Sequence, residues 1–200
     1  MSQYIMFYKP RGYLTACKDR SRPTIMELLP PTMQHLHPVG RLDRDTEGLL
    51  LLTDDGSLDN RLLQPKVHVE KSYFFAAYGT LTDENHAALE QGIYLPGDPE
   101  ITKPARLHSV QMTTIAQTAS WLPKVHNRRM LRLPDRPVAT GVLVLREGRK
   151  HQVRLMLGAV DCQIFYLKRI AIGDVALDPA LQPGAYRPLT KEEEKLLQID

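Results

Sequence analysis

Cysteine is scarce in this chain of 200 residues, with only Cys17 and Cys162 present. They form no paired spacing, so there is no disulfide framework and no zinc-ligand pattern, and the chain suits a reducing compartment. Both read as small apolar residues rather than reactive thiols. Long apolar runs are missing as well. Candidates such as residues 49–52 and 142–145 fall far short of the ~18 residues that mark a membrane-spanning helix. The first ten residues place their positive charges after the apolar patch, the reverse of a secretory signal. The expected location is therefore cytoplasmic, and a membrane is not among the expected partners. No internal repeat, low-complexity tract or flexible linker interrupts the chain.

Acidic residues are scarce along one stretch. The whole chain carries 26 Lys and Arg against 23 Asp and Glu, a net charge of +3. Residues 101–170 hold 13 Lys and Arg but only 3 Asp and Glu, a surplus of +10, which leaves −7 for the remainder. Such asymmetry points to a surface that faces a polyanion, with a solvated charged face as the plainer reading. Within it Lys124, Arg128, Arg129, Arg132 and Arg136 cluster near Trp121 and His126. Cations beside stacking rings suit a nucleic-acid backbone.

Hydrophobic residues make up 42% of the chain and charged residues 24%, ordinary values for a soluble globular protein. A chain of this length buries roughly 70% of the surface it exposes when unfolded, so it needs no staples. Residues 4–8 read as a strand and 9–12 as a turn. Thr24 caps a short helix over 25–29 that Pro30 and Pro31 stop. Residues 32–42 read as loop. The continuous apolar run 48–53, closed by Asp54-Asp55-Gly56, is the pattern of a buried strand and its turn. A helix follows over 57–64, a strand over 71–79, and a helix from Thr82 to Gly92. Residues 95–105 read as loop, 107–114 and 138–146 as strands, and 116–135 as irregular. Residues 147–149 turn the chain into a helix over 151–157, 169–176 alternate weakly, and 190–197 form a charged helix. Strands mixed with helices in no regular βαβ rhythm indicate an α+β fold with a mixed, largely antiparallel sheet and flanking helices.

The densest polar cluster runs from His37 through Gly48 and precedes the most apolar strand, the arrangement of a site on a rigid scaffold. Asp43, Asp45 and Glu47, with Asp54 and Asp55, have the chemistry to hold a divalent cation. Arg41 and Arg44 lie among them, however, and interleaved arginines favour paired carboxylates over a metal cage. The segment Gly40-Arg41-Leu42-Asp43-Arg44-Asp45-Thr46-Glu47-Gly48-Leu49-Leu50-Leu51-Leu52-Thr53-Asp54-Asp55-Gly56 closely resembles the catalytic motif of the RsuA-type pseudouridine synthases, which modify ribosomal RNA. Lys9-Pro10-Arg11-Gly12 resembles that family's opening strand and turn, and Lys71-Ser72-Tyr73 its Lys-x-Tyr motif. Residues 147–154 resemble its third motif, and Leu167, Arg169, Ile172-Gly173, Leu177, Gly184 and Arg187 fit its closing segment. Residues 82–137 are the least diagnostic. Two departures stand out. Arg154-Leu155-Met156 replaces the usual two arginines and methionine, and the chain opens directly on the catalytic core. It therefore resembles the short RluE branch, without an N-terminal S4-like RNA-binding domain.

The resemblance implies one catalytic domain over residues 1–200, with two lobes and a cleft between them. It implies isomerisation of a uridine in large-subunit (23S) ribosomal RNA, by a monomer that needs no cofactor and no metal. Asp43 would be the catalytic carboxylate, Arg154 its charge partner, and Tyr73 the ring against the target uracil. Arg41 would fill the place of a flipped base, while Lys71, Arg149, Arg128, Arg129 and Arg132 would bind the substrate. The plainer readings are a turn aspartate, a surface cation, a half-buried strand tyrosine, and an Arg41 paired with Asp45 or Glu47. His37 would order the loop or cap it. Two other classes compete with the isomerase: a non-catalytic RNA-binding or ribosome-assembly factor, and a metal-dependent nuclease built on Asp43, Asp45 and Glu47.

Overall fold

The computed structural model describes residues 2–63, 69–122 and 128–197. Lys124 and His126 lie outside the described residues. The chain divides into two compact units, Met1–Lys71 with Lys168–Asp200, and Ser72–Leu167. The architecture is mixed α+β, with a largely antiparallel sheet and few helices. Among the described residues no helix is long and apolar enough to cross a membrane.

The first unit is organised around β3 (Glu47–Thr53), the apolar run picked out above. Leu49, Leu50, Leu51 and Leu52 are all 1% exposed or less, so both faces of this strand are covered. That is why the run does not alternate with polar residues. It pairs antiparallel with β1 (Tyr4–Lys9), from Tyr4 opposite Thr53 to Lys9 opposite Gly48. It also pairs antiparallel with β2 (His37–Val39), and β1 pairs antiparallel with a later strand, Tyr186–Pro188. Helix α1 (Gly56–Leu63) contributes Leu58 and Leu62 to a core with Met6, Val39, Leu49, Leu51, Ile172 and Leu189. The far end of a long strand, Gln163–Ile172, lies parallel to β3, with Lys168 opposite Glu47 and Arg169 opposite Gly48.

The second unit is built on β4 (Lys71–Tyr78), whose alternation separates two cores. Phe75 and Ala77 enter one with Leu89, Leu107, Leu143, Val153, Met156 and Leu157. Ala76 and Tyr78 enter the other with Ile115, Val138 and Tyr166. Within this unit α2 (Asp83–Gln91) starts on a capping box between Thr82 and Asn85. It ends at Gly92, where a Cβ would fall 2.3 Å from the Thr102 carbonyl oxygen. β5 (Arg106–Thr114) pairs antiparallel with β6 (Pro137–Leu145), and α3 (Ile115–Trp121) lies between them in sequence. Helix α4 (Gln152–Ala159) and the strand just described, β7, follow. The chain closes with β8 (Val175–Ala176), β9 (the Tyr186–Pro188 strand) and α5 (Lys191–Leu196).

Several elements differ from the sequence reading. β2 is only three residues long with a central proline, and the loop expected over 32–42 concealed it. β7 begins at Gln163, ahead of the weak alternation at 169–176. Helix α3 occupies part of the stretch read as irregular. Its signal was Thr114-x-x-Gln117, a capping box that closes in the structure, but seven residues followed by a basic run carry little periodicity.

Candidate active site

The backbone of the segment from Gly40 to Thr46 is fixed by hydrogen bonds from distant parts of the chain. Thr15 Oγ1 donates to the Leu42 carbonyl at 2.8 Å and accepts from the Leu42 N–H at 3.2 Å. The Arg44 carbonyl accepts from the Gly12 N–H at 2.8 Å. Thr46 N–H donates back to the Asp43 carbonyl at 3.1 Å, closing a turn on the aspartate. Leu42 and Thr46 are buried and Asp43 is half-buried between them, while Arg41, Arg44 and Asp45 are exposed.

Lys9 completes this arrangement. Its side chain is wholly buried, and the ammonium donates to the carbonyls of Pro10 (2.9 Å), Arg44 (3.3 Å) and Thr46 (2.8 Å). Burial pulls its pKa down from 10.5 to about 8, against the opposing pull of Asp43, then Asp45 and Glu47. Sequence reasoning assigned Lys9 only to a strand and turn, because nothing local reveals that its amine reaches residues 44 and 46.

The segment leaves through Gly48, whose φ is +110°. A Cβ here would sit 2.2 Å from the Arg169 carbonyl oxygen, so only glycine lets β7 close onto β3. Arg169 is 4% exposed; its Nε donates to the Leu49 carbonyl at 2.8 Å and its Nη2 is buried with no hydrogen-bond partner. Lys71 belongs to the same unit, and its pKa is lowered by burial and then by the Arg169 charge.

The other acidic residues of the cluster have protein donors. Glu47 accepts from the Tyr8 hydroxyl at 2.7 Å, and Lys168 sits 4.6 Å over that ring. Asp54 accepts from the Gln3 N–H, and Asp55 from the Tyr4 hydroxyl and Ser57. Arg44 pairs with Asp45 at 3.3 Å. Arg41 has no hydrogen bond or ion pair with another described residue, so the expected alternative, a pair with Asp45 or Glu47, is not formed. His37 lies in β2 opposite Thr53. No group of three His, Cys, Asp or Glu among the described residues has the arrangement of a metal site.

In the second unit Tyr73 is a half-buried residue of β4 that packs on the Phe75 core. Val153 and Leu155 pack on that same core, and Arg154 between them is half-buried. Arg154 lines an open depression with Gly158, Asp161, Gln163 and Ile164. Arg149 was expected to contact substrate, and the geometry gives it another task. Its guanidinium donates to Asp98 (2.7 Å), to the carbonyls of Glu100 (2.7 Å) and Ile101 (2.8 Å), and to Glu147 (3.3 Å). A fork so engaged has little left to offer a phosphate, and it ties the loop after α2 to the turn before α4. Asp98 responds with a carboxyl pKa held low by the Glu100 N–H and by Arg149. Gln152 joins the same knot, accepting from Arg149 N–H and donating to Glu147. Arg128, Arg129 and Arg132 lie elsewhere in this unit, on and before a short 3-10 helix, Met130–Arg132, and are exposed.

The family described as RNA pseudouridylate synthase matches residues 3–159 of the chain. An uncharacterized RNA pseudouridine synthase of Bacillus subtilis, YtzG, is 40% identical over 196 residues, 97% of this chain and 72% of that protein. The ribosomal small subunit pseudouridine synthase A of Haemophilus influenzae is 38% identical over 198 residues, covering 98% and 74%. Its Escherichia coli namesake is 35% identical over 192 residues, covering 96% and 72%. A crystal structure of a pseudouridylate synthase superposes with a TM-score of 0.80 at 37% identity, covering 98% of this chain and 74% of that one. Human RNA pseudouridylate synthase domain containing 1 shares the fold, with a TM-score of 0.57 at 13% identity.

Proposed function

The chain belongs to the RNA pseudouridylate synthase family of isomerases, and on that premise we propose that it converts a uridine of ribosomal RNA to pseudouridine with Asp43 as the catalytic carboxylate. The N1–C1′ bond breaks, the uracil turns, and a C5–C1′ bond forms. C5 gives up a proton and N1 gains one. Nothing is oxidised and no group is imported, so the reaction calls for no cofactor.

The observation that best supports Asp43 is the construction around it. The backbone is fixed at residues 42, 44 and 46 by Thr15, Gly12 and Lys9, while the carboxylate between them stays half-buried. That is the preorganisation a reacting group needs, because its position is set before substrate arrives. A carboxylate acts at the ribose either as nucleophile at C1′ or as the base that takes a ribose proton. In this reading Arg154 balances its charge, Tyr73 lies against the uracil, and Lys71 contacts phosphate. The target base leaves its stack to reach the carboxylate, at a cost of a few kcal/mol. Arg41, exposed and unpaired among the described residues, fills the vacated place.

Asp43→Asn tests this. Pseudouridine formation in a ribosomal RNA transcript should fall at least about a hundredfold while RNA binding is retained. Unaltered turnover would overturn the assignment, and persistence of the modification in a strain without the gene would leave only an RNA-binding role. The names of the Haemophilus and Escherichia relatives support a small-subunit target. The large-subunit (23S) target rests on the likeness to the short branch alone. Transcripts of the two subunits, offered separately to the monomeric protein, distinguish them.

A further inference from the structure

We propose that helix α3 and the turn at residues 128–132, both between β5 and β6, form a second RNA subsite, for an unpaired strand, in which Trp121 stacks a base and Arg128, Arg129 and Arg132 take phosphates. It rests on the reading above that the substrate is RNA, and it lies in the stretch that carries none of the family motifs.

The described residues of this stretch are fixed by specific contacts. Ile115 N–H donates to the Arg136 carbonyl at 3.2 Å and Ala116 N–H to the Pro134 carbonyl at 2.9 Å, which ties its two legs together. Ile115 is fully buried beside Val138 and Tyr78, and Leu122 and Met130 pack on the same cluster. Helix α3 packs against the Met130–Arg132 turn. Arg136 is a brace: it lies 5.2 Å from the centre of the Tyr78 ring and donates to Met130 Sδ at 3.6 Å.

What this frame holds outward has no use in the fold. Trp121 is 49% exposed, with one ring contact, Phe74 at 6.1 Å and 62°. Arg128, Arg129 and Arg132 are exposed and make no hydrogen bond or ion pair with another described residue. The only acid from residue 115 to 137 is Asp135. Three unneutralised guanidinium groups on a short ordered turn match phosphates, and an exposed indole matches an open base face. A duplex hides its base faces and would leave the ring unused, so the occupant is single-stranded.

Trp121 is the only tryptophan of the chain, so its fluorescence reads the subsite without a label. The intact protein is titrated with oligouridylate of about ten nucleotides, with an RNA duplex of equal length, with polyglutamate and with anionic phospholipid vesicles. Oligouridylate should quench the indole. Replacing Arg128, Arg129 and Arg132 together by alanine should weaken binding at least about tenfold without moving the unfolding midpoint. Three lost contacts at a slope of roughly 0.7 each also remove about an 18-fold loss of affinity between about 50 and 200 mM salt. Trp121→Ala, followed by anisotropy of labelled oligouridylate, should weaken binding about fivefold or more. Absence of quenching, an unchanged salt slope in the triple variant, or equal quenching by duplex, polyglutamate or vesicles overturns the proposal. Asp43→Asn should leave every one of these readings intact. Failure of that variant to stop conversion would sink the catalytic reading while this one stands.

Discussion

Replacing Lys9 by methionine separates two effects that its burial combines. Its ammonium is fully buried with a pKa of about 8 in place of 10.5. Between those pH values the unfolded chain holds a proton that the folded chain has released, so stability rises with pH across the window. Below pH 8 the whole cost of the buried charge is present, on the order of 3 kcal/mol for this shift. Methionine removes that cost but leaves three carbonyls without their donor, at roughly 1–3 kcal/mol each. The opposing terms leave a net loss of a few kcal/mol in urea unfolding at pH 7, and the rise in stability from pH 8 to 10.5 should vanish. Activity should respond far more. The carbonyls of Arg44 and Thr46 flank Asp43, and a displacement of about 1 Å costs on the order of a hundredfold in rate. The expected result is a collapse of kcat with KM nearly unchanged. In the unaltered enzyme a neutral amine has two N–H donors for three carbonyls, so turnover should decline above pH 8. Ionisation of uracil itself is common to both enzymes and cancels in the comparison. Full kcat in Lys9→Met, or stability of the unaltered protein that is flat from pH 8 to 10.5, would refute this account.

Gly48→Ala should be among the most destabilising single changes in the chain. Its left-handed φ costs about 1–3 kcal/mol and the clash with the Arg169 carbonyl about 1–3 more, read as a drop in the urea midpoint. Arg149→Met should lower the urea midpoint, because Asp98 and Glu147 lose their shared cation and the carbonyls of Glu100 and Ile101 lose a donor. Glu147 is the better covered of the two, and exposure of Asp98 trims the effect. Its oligouridylate affinity and salt slope should not change. A tenfold loss of RNA binding with unaltered stability would instead restore Arg149 to the substrate-contacting set.

Legibility in the sequence followed the range of the interactions. β3 declared itself through four consecutive leucines, and α2 through Thr82 and Gly92, because burial on both faces and helix caps are written within a few residues. β2 and β9 escaped notice. Each is three residues long and contains a proline, and each exists only because a distant strand offers a partner. The 40–48 segment was legible as a site from its density of charge, but what holds it was not. Lys9 and Thr15 act from 27 or more positions away. Arg149 shows the converse, a residue whose protein partners are invisible locally. An arginine in a basic stretch reads as a phosphate ligand until the acidic and carbonyl groups of residues 98–101 are seen to surround it.

The Arg169–Leu49 hydrogen bond, beside the parallel pairing of Gly48 with Arg169, joins positions separated by 120 residues, and the whole of the second unit is threaded between them. A ribosome making this chain therefore delivers the aspartate segment well before the strand that braces its exit. Residues 72–167 emerge in between as one uninterrupted piece. A nascent chain halted between Gly48 and Arg169 holds every residue of the Asp43 segment, yet lacks the neighbour against which Gly48 closes. Competence in this enzyme therefore waits on the strand that carries Arg169, set by the order in which the strands are made.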